Sequence, residues 1–317
     1  EYPLFHYQPY ELALSSKLVD TVLAHDIELL HVHYAIPHAY AGYMAQQMLR
    51  EHGKNIPMVT TLHGTDITLV GQHPFYKPAV QFSINQSNVV TSVSADLKKK
   101  TNELFQLDKE ISVVPNFIDA SKYVFPPADC QRTLIAKDTE RVVTHISNFR
   151  KVKRIPDVIE IFDRIQQQIP AKLMMVGDGP EREHAERLCE EKGIQDRVVF
   201  LGNSNEIDRI LCFSDLFLLP SVSESFGLAA LEAMINRTPV VSSDTGGIPE
   251  VNIHGVTGFL SPVRDVEAMA KHSIYLLSDD ERLEKFKAQA YAQALNFDIQ
   301  KIVPQYEAVY ACAMASV

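Results

Sequence analysis

The sequence predicts an α/β fold of two doubly wound halves, each a parallel sheet covered by helices. Three observations predict it. Short runs rich in Val, Ile and Leu alternate with longer segments of helical apolar spacing along most of the chain. Strands that are apolar on both faces suit a parallel sheet with helices on either side. The alternation breaks over 116–138, where Pro126-Pro127 stands in a stretch without periodicity, read as an interdomain linker. A length of 317 residues suits about two domains.

Taken in order, 12–25 is helical by apolar spacing and 27–33 is a strand. The strand runs into Tyr34-Ala35-Ile36-Pro37-His38, and a helix follows over 39–52, stopped by Gly53. Strand 57–62 ends in His63-Gly64-Thr65-Asp66. Helix 74–86, strand 89–93, helix 95–105 capped by Ser94, and strand 111–114 complete the first half. The second half reads as strand 142–147, helix 155–168, strand 172–176, helix 181–192, strand 198–202 and helix 206–213. Strand 215–219 meets Pro220, and a helix opens near Phe226 and Gly227. Strand 239–243, a turn at 246–250, a short strand over 257–260, and helices 266–277, 281–295 and 299–313 follow. Two such halves facing a cleft put a ligand at the carboxyl ends of the strands.

Composition narrows the partners. A net charge of -10 argues against nucleic acid or an anionic membrane. No apolar run approaches ~20 residues, so no spanning helix is expected. Cys130, Cys189, Cys212 and Cys312 lie far apart and match neither a disulfide framework nor a metal motif, and a reducing cytoplasm fits best. The chain starts at Glu1, and 1–5 has no signal-peptide character.

The chemistry concentrates in Ser221–Glu232. A loop feeding a helix start presents free N–H groups and partial positive charge, which suits a phosphate or a sugar oxygen. Glu224 and Glu232 bracket that start. Glu232 lies ~9 Å along the helix from Phe226 at ~1.5 Å per residue. Two carboxylates so placed can grip opposite ends of one elongated ligand; a solvated loop acid beside an ordinary helix glutamate is the plain alternative.

Beyond that stretch stand a Pro-Val-Val strand at Pro239–Ser243, Gly246-Gly247-Ile248-Pro249-Glu250, and Gly255-Val256-Thr257-Gly258-Phe259-Leu260. In this order and spacing the pieces resemble the family-4 retaining glycosyltransferases of GT-B fold, and the resemblance covers essentially the whole chain. It implies that Glu224 bonds the donor-sugar hydroxyls and that Glu232 takes the ribose hydroxyls. Ser225, Phe226 and Gly227 would then offer backbone N–H groups to sugar and diphosphate. Gly202 and Asn203 stand where family members bond uracil. By the same resemblance His63 contacts the donor sugar near the reacting carbon, with Thr65 and Asp66 beside it. Asp66 either orients His63 or caps the turn.

Asn148-Phe149-Arg150-Lys151-Val152-Lys153-Arg154 follows a strand and precedes a helix. The family usually has an Arg and a Lys here on the diphosphate. Aligned on Lys153, the usual Arg falls at Asn148, and Arg150 is the expected substitute. This string, with His31–Ala39 and Leu62–Thr68, resembles a subgroup that moves N-acetylglucosamine from UDP-N-acetylglucosamine to L-malate, opening bacillithiol synthesis. Tyr34 and His38 are then acceptor-side residues. No metal is expected: His31, His33 and His38 have no carboxylate or Cys at ligand spacing, and the family relies on Lys and Arg. The donor is a substrate, and no cofactor is expected.

The domains implied are 1–123 on the acceptor side, 124–297 for the nucleotide-sugar, and 298–317 crossing back to the first domain. Members of the family begin with a strand and a Gly-rich loop, and nothing before Leu12 reads as that unit. Transfer to another acceptor, and a non-catalytic nucleotide-sugar-binding protein, are the competing readings. A homo-oligomer stays open.

Overall fold

The structure is a computed structural model that describes residues 9–123, 125, 127, 130 and 132–317. The expectations about the start of the chain fall mainly on 1–8, outside the described residues, as does Pro126 of the linker. The chain divides into two units. The first runs up to Pro115 and is completed by Lys301–Val317; the second is Asn116–Gln300.

The first unit contains α1 (Tyr10–His25), β1 (Leu30–His33), α2 (Tyr40–Glu51), β2 (Met58–Leu62), α3 (Lys77–Gln86), β3 (Val89–Ser92), α4 (Ala95–Leu104) and β4 (Ile111–Val113). Its described strands form a parallel sheet in the order β1-β2-β3-β4. Every residue of β2 is buried, as a central parallel strand requires. Ser94 caps α4 as expected, its Oγ accepting the Leu97 N–H at 3.1 Å.

The second unit contains β5 (Arg141–Ile146), α5 (Ile155–Gln166), β6 (Ala171–Val176), α6 (Arg182–Lys192), β7 (Val198–Gly202), α7 (Ile207–Leu211), β8 (Leu216–Leu219), α8 (Leu228–Ile235), β9 (Val240–Ser243), α9 (Ile248–Val251), β10 (Gly258–Ser261), α10 (Val266–Leu277) and α11 (Asp280–Ala294). Its described strands form a parallel sheet in the order β10-β9-β8-β5-β6-β7. From β5 the chain winds outward to β7, then returns to place β8 on the other side of β5. That reversal is a topological switch point, where a doubly wound sheet opens a crevice beyond its strand ends. α5 buries Ile155, Val158, Ile159, Phe162 and Ile165, one apolar face, among Val143, Leu173, Met175 and Leu216.

α12 (Ile299–Met314) closes the chain. Its Ile302, Tyr306, Val309 and Ala313 cluster with Val59 and Val114 in the first unit. The expected crossing point holds a backbone clasp: Ile118 N–H donates to Phe297 O at 3.0 Å, and Ile299 N–H to Ile118 O at 2.7 Å.

Some readings change. The segment after β1 is a π-helical turn, Ala35–Ala39, and the turn after β9 contains the helix α9. Cys130 and Cys212 form a disulfide across 82 residues of sequence. Spacing alone had left them unpaired, because it does not reveal which distant segments the fold brings together. No helix among the described residues is long and apolar enough to cross a membrane.

Candidate active site

The loops leaving β5 and β8 meet at the switch point. Val222 N–H donates to Val152 O at 2.8 Å, tying one loop to the other. Lys153 Nζ pairs with Glu224 Oε1, which also accepts from Ser221 Oγ at 2.9 Å. The two side chains are only 20% and 14% exposed, so solvent screens the pair weakly. Arg154 is taken up by Asp157 at the start of α5. Arg150 and Lys151 are exposed and enter no ion pair among the described residues. Asn148 is exposed as well, with its carbonyl against Gly179.

Glycines set these loops in place. Gly246 has φ +60°, and a Cβ there would sit 1.8 Å from Glu224 O. Gly247 N–H donates to that same oxygen at 3.0 Å. Gly177, with φ +116°, meets Ser147 O equally closely. Any side chain at either position would push out the loop carrying Glu224 or Lys153.

One contributor escaped the sequence reading. His145 is fully buried in β5; its Nδ1–H donates to Leu218 O at 2.9 Å, and Nε2 lies 2.8 Å from Ser147 Oγ. Burial pushes its pKa down to about 4, despite the Leu218 bond that favours the proton. The neutral ring thus fastens the exit of β5 to β8. An ionisable residue inside an apolar strand run was the available signal.

Gly227 is the N-cap residue of α8, with no side-chain capping bond. The first N–H groups of the helix are therefore left for a ligand or water. Phe226 is buried, edge-on to Phe297 at 5.5 Å between ring centroids. Ser225 is half-buried. Glu232 lies further along α8. Burial, and then the nearby Asp208 charge, raise its carboxyl pKa. Gly202 ends β7, and its carbonyl accepts the Gly177 N–H at 2.8 Å; Asn203 is exposed just beyond.

The first unit gathers a separate set at the ends of β1 and β2. His33 Nδ1 lies 2.8 Å from His63 Nε2, and Tyr34 packs on His63 at 4.8 Å between rings. His38 Nδ1–H donates to His33 O at 2.5 Å. Burial first, and then His33, push the His63 pKa down to about 4. Asp66 is buried, and its oxygens accept the N–H groups of Ala35 and Gly64 at 2.9 Å and of His63 at 3.3 Å. Its carboxylate therefore fixes two loop backbones, while the exposed Thr65 starts the turn Thr65–Leu69. Among the described residues no group of three or more His, Cys, Asp or Glu side chains is arranged to hold a metal.

Comparison with known proteins fits this architecture. Residues 131–293 match the family Glycosyl transferases group 1, and residues 1–122 match Glycosyltransferase Family 4. The chain is 44% identical to the N-acetyl-alpha-D-glucosaminyl L-malate synthase of Bacillus anthracis, over 98% of this chain and 81% of that one. Among solved structures, Anabaena HepE in complex with UDP and glucose superposes with TM-score 0.83 at 24% identity, covering 94% of this chain and 81% of that one. Sucrose-phosphate synthase from Thermosynechococcus elongatus superposes with TM-score 0.81 at 22% identity, covering 98% and 81%. The chain belongs to the glycosyltransferases of group 1 and family 4, and its two parallel-sheet units are the Rossmann-like halves of the GT-B fold.

Proposed function

We propose that this protein is a retaining glycosyltransferase that moves N-acetylglucosamine from UDP-N-acetylglucosamine to the hydroxyl of L-malate. The observation that carries the reading is the 44% identity to the malate synthase across 81% of that enzyme. The switch-point geometry supplies a physical route.

In this reading Lys153 and Arg150 face the diphosphate, whose negative charge grows as the glycosidic bond breaks. Cations and helix N–H groups already aimed at developing charge stabilise it without reorganisation. The N–H groups at Ser225, Phe226, Gly227 and the start of α8 add to this. Lys153 is held on Glu224 before the donor arrives, so donor binding exchanges a carboxylate partner for a phosphate. Glu224 then turns to the sugar hydroxyls and positions the ring. Glu232 accepts from the ribose hydroxyls; Gly202 and Asn203 border the base. Asn148 lies beside the diphosphate. His63, with Thr65 and Asp66 behind it, and Tyr34 and His38 serve the sugar and the acceptor.

No side chain is assigned as nucleophile. The departing phosphate oxygen takes the proton of the malate hydroxyl on the face from which it leaves, and the new bond forms on that face. The anomeric configuration is therefore kept. Cations from the chain do the work of a divalent ion, and the setting is the cytoplasm.

The test is UDP release from UDP-N-acetylglucosamine by the full-length protein, with malate and with other acceptors, followed by NMR of the product. Malate-dependent release and an α-linked product are expected. A β-linkage overturns retention, and release that ignores malate overturns the acceptor.

A further inference from the structure

His31 and His33 stand on β1 and contribute to no step above, yet the fold builds them into a stack with His63. His31 is anchored at both ring nitrogens: Nδ1 lies 2.8 Å from Tyr310 Oη on α12, and Nε2 lies 2.8 Å from Thr61 Oγ1. Thr61 Oγ1 is in turn 2.7 Å from Thr91 Oγ1. His33 packs on His31 at 4.6 Å between ring centroids. Its backbone carbonyl is held by His38, and its Nδ1 reaches His63 Nε2.

We infer that His33 is a positioning residue for His63: by engaging Nε2 it leaves Nδ1 as the ring nitrogen that His63 presents to a ligand. The inference rests on the reading of His63 as a donor-sugar contact.

The electrostatics agree with the geometry. The groups facing the stack are the neighbouring imidazoles, Tyr34 and His38 after β1, and Tyr306 and Tyr310 on α12. Asp66 directs its oxygens to backbone N–H groups. None of the three histidines forms an ion pair among the described residues, and burial lowers the pKa of each, with neighbouring imidazoles adding to it. Neutral imidazole has one donor nitrogen and one acceptor nitrogen. A neutral partner at a fixed position therefore biases which nitrogen of His63 carries the proton.

The test uses the full-length protein with ring-15N histidine. His33→Phe keeps a ring for the stack and removes the bond. His33→Asn places an amide atom the same number of bonds from Cβ as Nδ1. The wild type and His33→Asn are expected to show His63 in one tautomer, and His33→Phe to show a mixture. In turnover, His33→Phe is expected to lose about 10²-fold in kcat with KM for UDP-N-acetylglucosamine little changed, and His33→Asn to recover most of that loss. The acid limb of the rate profile should move to higher pH in His33→Phe, because His33 opposes the protonation of His63. Unchanged His63 ring signals in His33→Phe overturn the inference, as does a His33→Asn that stays folded and is equally slow. Absence of turnover in the wild type refutes only the functional reading, and the ring spectra still decide the role of His33.

Discussion

At the ends of β5 and β8 the second unit sets charge against charge. Lys153 meets Glu224, and Glu232 waits further along α8 in a site that disfavours its ionised form. At the ends of β1 and β2 the first unit sets neutral ring against neutral ring, and the nearby carboxylate of Asp66 is occupied with backbone. Both sets sit where parallel strands end, so position within a sheet does not separate them. Topology separates them. The described strands of the first sheet run in sequence order, whereas the second sheet reverses between β5 and β8. The reversal brings the loops after β5 and β8 together, and Lys153 and Glu224 stand there. In the proposed function this becomes a division of labour: fixed charge for the leaving group, neutral hydrogen bonding for the sugar and the acceptor.

Removing the charge at the second unit's strand ends should have the greatest effect. Lys153→Ala is expected to lower kcat by about 10²–10³-fold, measured as malate-dependent UDP release. A loss no larger than tenfold would move the leaving-group role elsewhere. Next is the backbone that supports the pair. Gly246→Ala puts a methyl group onto Glu224 O and an L residue at φ +60°. A destabilisation of about 1–3 kcal/mol is expected in thermal or denaturant melts, with turnover falling too.

Glu232→Gln probes the other carboxylate. Loss of a charged acceptor should weaken UDP binding about 10–100-fold by calorimetry. Because folding raises the Glu232 pKa, the folded chain holds that proton more tightly than the unfolded one. Its contribution favours folding below the ordinary carboxylate pKa and is lost as pH rises through the folded value. The amide variant should therefore melt higher than wild type at neutral pH without ligand.

The imidazoles run in the opposite sense. His31 and His63 titrate near 4 in the fold, against about 6.5 unfolded. Their contribution is full above about pH 6.5 and is lost as pH falls toward 4, because the unfolded chain takes up the protons first. Melting temperature should drop across that window. His31→Gln should flatten the drop; an unchanged slope would mean that His31 is not held neutral. The smallest expected effect is none: EDTA should leave the initial rate unchanged, and a rate that then requires added Mg²⁺ or Mn²⁺ would overturn the assignment of Lys153 and Arg150.

Much of the fold was legible, for identifiable reasons. Parallel strands buried on both faces announce themselves as apolar runs, so β7 and α10 appear at their predicted bounds and most elements differ by a few residues. Ser94 was readable because capping is local. The candidate site was legible as residue types but not as partners. Lys153 and Glu224 are 71 residues apart, and only the placement of β8 beside β5 joins them. His33 and His63, 30 apart, meet because β1 and β2 pair in register. The same holds for Cys130 and Cys212, and for the bond from His145 to Leu218.

α12 carries a consequence for how the molecule is made. Its Ile302, Tyr306, Val309 and Ala313 supply an apolar layer over Val59 and Val114 of the first unit. A ribosome completes Asn116–Gln300 before that layer exists. At about 5–20 residues per second the nascent first unit waits roughly 10–40 s with that face uncovered. The unit begun first is thus finished last. Chaperone demand during translation should centre on the Val59 and Val114 face, and chains cut before Lys301 should keep a sound second unit while their first unit aggregates.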